Sequence, residues 1–141
     1  MISPRDLADV LGERLQNDPG PLPTVPFRDV VIDSRKVEAG DLFVALKGEH
    51  TDGHKFLGDA LASGATGILS RVLPEAIPDG AQVFLVDDPL AALQSAANCW
   101  RTRQPARVIG ITGSVGKTTT REAVAQVLSH KHAVFQSPRN F

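Results

Sequence analysis

The sequence is poor in cysteine, has no surplus of charge of either sign, and holds no long apolar run. Cys99 is the only cysteine in 141 residues. One chain can therefore build neither a disulfide framework nor a cysteine-based metal site, and a reducing compartment fits best. Lys and Arg number 15 against 16 Asp and Glu, a formal net charge of -1, which excludes the broad basic footprint of a general nucleic-acid binder. The longest uncharged apolar runs, such as LFVAL at residues 42–46, are far too short to cross a bilayer, and the N-terminal MISPRDLADVLGERL carries charges every few residues. Membrane insertion is not expected, and the reading is a cytoplasmic protein. No internal repeat or low-complexity segment is present. With 42% hydrophobic and 22% charged residues, the chain has the make-up of a compact globular protein rather than a disordered one.

Ser3, Pro4 and Asp6 form an N-cap signal with proline in the first turn, and Leu7, Val10 and Leu11 follow at helical spacing up to Gly12. After the turn-rich QNDPGPLPTVP come two strand signals, FRDVVIDSR and DLFVAL, separated by a turn at Gly40. Phe56, Leu57, Ala60 and Leu61 share a helical face, with Thr51 and Asp52 as caps and Gly64 as a stop. GILS and QVFLV read as two further strands around the loop LPEAIPDG. Asp88 and Pro89 repeat the cap-then-proline signal, and Leu90, Leu93, Ala97 and Trp100 give a helical stripe ending near Arg103. Gln104 and Pro105 break that helix, because a residue before proline is driven from the helical region. A domain boundary is placed there, between 1–104 and 105–141.

Beyond the boundary, RVIGIT reads as a strand suited to burial on both faces of a parallel sheet. Thr120, Ala123, Val124, Val127 and Leu128 line one helical face, and AVFQS begins a second strand. The fold class is thus α/β: a small mixed α/β domain, then the strand, loop, helix and strand that open a parallel sheet. About 35 residues cannot cover both faces of such a strand, so a longer protein, of which this is the N-terminal part, is expected.

The loop between RVIGIT and the last helix reads TGSVGKTTT. A strand entering a glycine-containing loop and then a helix aims backbone amides and the positive end of the helix dipole at one spot, which favours phosphate. Gly113 and Gly116 allow the tight turn, Ser114, Val115 and Thr119 contribute loop and first-turn amides, and Lys117 supplies a charge for β- and γ-phosphate oxygens. The Thr118 hydroxyl is placed for Mg²⁺. The pattern is a shorter variant of the standard G-x-x-x-x-G-K-[ST] motif, since Ile111 stands where its first glycine would be. The bland alternative is a tight turn followed by a solvated lysine, but a lysine in the first helical turn opposes the dipole.

Asp33, Ser34 and Arg35 end a strand at a loop. There they either contact a nucleotide or form a local turn in which Asp and Ser bond their own backbone; spacing alone favours the turn. Lys47, Gly48, Thr51, Asp52 and Gly53 have the same two readings. His50 and His54 stand four apart, but Gly53 lies between them and no glutamate follows His50, so they are read as turn residues rather than zinc ligands. His130 and His132 sit at a helix end, Cys99 and Trp100 read as core, and Arg101, Arg103 and Arg107 as a solvated linker.

TGSVGKTTT resembles the ATP-binding loop of the Mur ligases, which join amino acids or peptides to the UDP-linked precursor of peptidoglycan. DSRKVEAGDLFVALKGEHTDGHKF, residues 33–56, is similar to the UDP-binding domain shared by the MurE and MurF branches, and the likeness runs nearly the whole chain from residue 30. GSVGKTTTRE is closer to the MurF type; SPRNF departs from it at Arg139, where glycine is more usual, which leaves the MurE type open. The resemblance implies that residues 1–104 bind the UDP precursor through Asp33, Ser34, Arg35, Lys47, Gly48, Thr51, Asp52 and Gly53. It implies that 105–141 open the central ATP-binding domain, with Lys117 catalytic, residues 113–119 on the ATP phosphates and Thr118 on Mg²⁺. ATP would phosphorylate the terminal carboxylate of UDP-MurNAc-tripeptide, and the D-alanyl-D-alanine amine would displace phosphate. The remaining machinery of the family lies further along, so these 141 residues are not expected to ligate by themselves, and the full-length enzyme is expected to be a monomer. The competing readings are a non-catalytic nucleotide-binding module and a P-loop kinase; the latter leaves the first hundred or so residues without a role.

Overall fold

The computed structural model describes residues 1–49 and 51–137. The chain divides into two compact units, Met1–Pro105 and Ala106–Phe141. In the first, helix α1 (Pro4–Leu11) precedes strand β1 (Val30–Val31), strand β2 (Leu42–Val44), helix α2 (Leu57–Ala62), strands β3 (Gly67–Ser70) and β4 (Gln82–Leu85), and helix α3 (Pro89–Thr102). The second contains helix α4 (Lys117–Ser129).

The four strands form one parallel sheet in the order β1-β2-β3-β4, with Val30 opposite Leu42, Phe43 opposite Ile68 and Ile68 opposite Val83. The strand period of two sorts the apolar run LFVA onto both faces. Leu42 and Val44 join Leu69, Phe84 and Val86 under Leu7, Leu11, Ala92 and Ala96 of α1 and α3. Phe43 and Ala45 join Ile68 and Val83 under Leu57, Ala60 and Leu61 of α2. Helices thus cover both faces, as a parallel sheet requires.

Helix starts follow local chemistry. Ser3 Oγ accepts from the Asp6 amide while the Asp6 carboxylate accepts from the Ser3 amide and hydroxyl, a reciprocal capping box. Asp88 accepts from the amides of Leu90 and Ala91. The buried face of α3 differs from the expected stripe. Pro89, Ala92 and Ala96 are buried, whereas Leu90 is 50% exposed and Ala97 is exposed, with Cys99 and Trp100 only partly covered. Small alanines allow α3 close to α1, and that approach outweighs burial of the larger leucine.

The first strand is also shorter than FRDVVIDSR promised. The Asp29 carboxylate bonds the adjacent Val30 amide, and Asp33 accepts from the Arg35 amide and turns the chain into a 3-10 helix at Ser34–Lys36. At the opposite edge, β4 is covered by side-chain mimicry of a strand. Asn17 donates to Val83 O and accepts from the Leu85 amide, each at 2.8 Å, which blunts an otherwise open edge.

Buried Asp41 pins the start of β2. Burial pushes its carboxyl up, but Arg28 at 2.9 Å and the Glu38 amide at 2.9 Å outweigh this and hold it below the ordinary value.

In the second unit, α4 is present, but residues 107–112 and 133–137 form no ladder among the described residues, contrary to the two strands expected there. A strand needs a hydrogen-bonded neighbour, and here Val108 and Ile109 are 69% and 59% exposed. Ala125 is buried in α4, whereas Val127 of the expected stripe is 71% exposed. His50 and residues 138–141, including Arg139, lie outside the described residues.

Candidate functional site

Two groups of residues carry polar chemistry, one in each unit. In the first unit, a cleft of about 350 Å³ opens at the carboxyl ends of β2, β3 and β4, lined among others by Lys47, His54, Arg71, Asp87 and Asp88. Parallel α/β sheets present ligand crevices at that end, where successive strands deliver loops to one place.

Of the sequence-predicted residues Lys47 lines it, and Gly48, Thr51, Asp52 and Gly53 belong to the loop that follows Lys47. Lys47 and Asp52 pair as an isolated antiparallel bridge, and the Gly48 amide donates to Thr51 O at 2.9 Å. The Gly53 amide donates to Leu46 O at 2.9 Å, and a Cβ on Gly53 would lie 2.8 Å from Leu46 O and 2.9 Å from Leu46 N. Those are backbone atoms that cannot swing aside, so the close approach itself selects glycine. Thr51 is exposed and Asp52 half-buried. Asp52 caps the turn by accepting from the His54 amide at 3.0 Å, and its carboxyl is lowered chiefly by the bond to the His54 ring.

Asp33, Ser34 and Arg35 follow β1 at the same end of the sheet. They form the local turn that spacing favoured. Arg35 donates to Asp33 through Nε at 2.9 Å and Nη2 at 2.8 Å, although its side chain is 86% exposed. This fork holds the Asp33 carboxyl down at about 2. Either residue must loosen that exposed pair to meet a ligand, and such pairs contribute little stability.

In the second unit, Gly113 has φ 147° and Gly116 has φ 80°, so both need glycine for conformation, while nothing crowds a Cβ at Gly116. Gly116 is the N-cap of α4 and has no side chain with which to cap it. Thr120 donates to Gly116 O at 2.9 Å, closing the first turn of α4. Ser114, Val115, Thr118 and Thr119 are exposed. Lys117 Nζ folds back onto Gly113 O at 2.6 Å, bridging the two ends of the turn.

Sequence reasoning set His54 aside as a turn residue and did not single out Arg71. His54 Nδ1 meets Asp52 at 2.7 Å, and the Arg71 amide donates to His54 Nε2 at 3.1 Å. The partners lie 17 residues apart in sequence, and no short-range pattern announces such a pair.

The units therefore offer a crevice with basic and acidic groups and a glycine-closed turn with a lysine at a helix start. The chain is 41% identical over 83% of its length to a UDP-N-acetylmuramoyl-tripeptide--D-alanyl-D-alanine ligase of Synechocystis sp., covering 26% of that protein. It is 36% identical over 79% of its length to a UDP-N-acetylmuramoyl-L-alanyl-D-glutamate--2,6-diaminopimelate ligase of Rhizobium meliloti, covering 23% of it. The crystal structure of MurF ligase from Thermotoga maritima in complex with ADP superposes with a TM-score of 0.70 at 37% identity, over 80% of this chain and 26% of that one. The chain spans about a quarter of the length of these relatives. Residues 26–132 match the model of the Mur ligase family, catalytic domain, and with them most of the sequence: the chain belongs to the Mur ligase family.

Proposed function

We propose that the chain supplies the UDP-precursor-binding and ATP phosphate-binding parts of a cytoplasmic, ATP-dependent amide-forming ligase of peptidoglycan precursor synthesis, monomeric at full length. Residues 1–104 take the UDP-MurNAc-peptide, with Asp33, Ser34, Arg35, Lys47, Gly48, Thr51, Asp52 and Gly53 at the carboxyl end of the sheet. Residues 105–141 begin the ATP-binding domain. The observation that carries the reading is the start of α4, where the left-handed Gly116 is the N-cap and Lys117 Nζ reaches back to Gly113 O at 2.6 Å.

Phosphate oxygens fit that donor set. The amides of residues 113–119 donate to them, and Lys117 Nζ exchanges Gly113 O for β- and γ-oxygens. Thr118 would hold Mg²⁺ through its hydroxyl; among the described residues no cluster of His, Cys, Asp or Glu could hold a metal. When bound, the cation offsets charge on the transferring phosphoryl group. The lysine and amides orient the γ-phosphoryl toward the precursor carboxylate, giving an acyl phosphate that the D-alanyl-D-alanine amine attacks with loss of phosphate.

Calorimetric titration with UDP-MurNAc-tripeptide and with Mg·ATP tests the two-site assignment. Lys117→Ala should weaken ATP about tenfold or more and spare the precursor, as loss of one charged hydrogen bond implies. Arg35→Ala should do the reverse; equal losses of both ligands in either variant would refute it. The similarity to the diaminopimelate-adding ligase supports a second reading, a MurE-type enzyme. The MurF type should prefer the tripeptide precursor and the MurE type the dipeptide one.

A further inference from the structure

The charged side chains around the first unit's cleft are not equivalent. His54 is engaged at both ring nitrogens, meeting Asp52 Oδ1 through Nδ1 at 2.7 Å and accepting the Arg71 amide at Nε2 at 3.1 Å. A nitrogen that accepts an amide N–H carries no proton, so Nδ1 donates and the ring is neutral in this arrangement. The acids on the wall are also engaged. Asp87 Oδ1 accepts from Gln16 Nε2 at 2.7 Å, and Asp88 Oδ1 from the Leu90 and Ala91 amides at 3.0 Å. That leaves Lys47 and Arg71 as the cleft's positive groups, and among the described residues the exposed Arg71 guanidinium takes part in no ion pair.

We propose that Arg71 binds the diphosphate of a nucleoside diphosphate in this cleft, and that His54 is its positioning residue. The inference rests on the reading of residues 1–104 as the UDP-precursor unit. Arg71 is the first residue beyond β3, so the sheet ladder no longer places it; the bond to His54 does. His54 is in turn set by Asp52, which pairs with Lys47. Asp52 and His54 thereby tie the backbones of Lys47 and Arg71 to one frame, and a guanidinium matches adjacent phosphate oxygens with two parallel bonds.

Titration of the chain with UDP, uridine and inorganic pyrophosphate, together with the exchange rate of the Arg71 amide, tests this. Arg71→Ala should weaken UDP about tenfold and leave uridine unchanged, with Arg71→Lys recovering part of the loss. His54→Ala should speed exchange of the Arg71 amide and weaken UDP more than uridine, and His54→Gln, which keeps an acceptor, should restore part of both. Unchanged UDP affinity in Arg71→Ala, while the unsubstituted chain binds UDP, overturns this inference and leaves the precursor reading standing. Equal weakening of UDP and uridine in His54→Ala overturns the positioning role. Pyrophosphate bound as tightly as UDP overturns the nucleoside part, and no binding of UDP by the unsubstituted chain overturns both readings together.

Discussion

At the scale of single residues, carboxylates do most of the positioning. Asp33, Asp41, Asp52 and Asp88 each accept a backbone amide within three residues, turning or starting the chain where a loop meets an element. Asp6 does the same at α1 and has its carboxyl lowered to about 2 by the Ser3 hydroxyl first and Arg103 second. That folded value lies below the ordinary 3.8. Folding therefore favours the ionised form, and the stability Asp6 contributes is complete above about pH 4 and lost as pH falls toward 2. Denaturant unfolding followed across that window should show stability falling, and Asp6→Asn should show a shallower fall. An identical slope in both proteins would mean that the capping box and the Arg103 pair do not survive in solution. The caps were legible in the sequence because each bond spans only a few residues. The pair of Asp6 with Arg103 was not, since 97 positions separate its partners.

At the scale of elements, helix starts could be read and buried faces could not always be. The stripe expected on α3 was set one residue away from the observed one because leucine and tryptophan outweigh alanine in any count of apolar residues. Packing against α1 instead selects the smaller side chains at Ala92 and Ala96, which are 1% and 6% exposed. Ala96→Leu should consequently destabilise the fold by about 1–3 kcal/mol through overpacking, while Ala97→Leu on the exposed side should stay within about 0.5 kcal/mol of the parent. Comparable effects in thermal or denaturant unfolding would return the buried face to the original stripe. For the strands, the central pair β2 and β3 emerged from their apolar runs. The extents of β1 and of the expected strands in the second unit depended on whether a neighbour was there to complete the ladder.

At the scale of the whole molecule, residues 103–110 are exposed, and the described backbone divides at Pro105. The sheet and its three helices lie entirely before that point. Brief trypsin treatment should cut at Arg107 and release a product that keeps its circular dichroism and its cooperative unfolding. Resistance at Arg107, or a product that loses its spectrum, would show that the first unit is not self-sufficient. The same division underlies the candidate sites, since the glycine-closed turn at α4 and the crevice of the sheet draw on residues of different units.

What the amino-acid order determined by itself was whatever closes over a few residues: the Ser3 and Asp88 caps, the glycine turn before Lys117, the alternation that divides LFVA between two faces, and the motifs that mark the family. What only the tertiary structure decided was which distant groups meet: Asn17 with the edge of β4, Arg28 with Asp41, and His54 with the amide of Arg71. The reason is physical. A cap or a turn gains its hydrogen bond from neighbours that the chain already holds nearby, whereas a ladder, a buried helix face or a cleft wall exists only after distant segments have been brought together, at an entropic cost that no local pattern records.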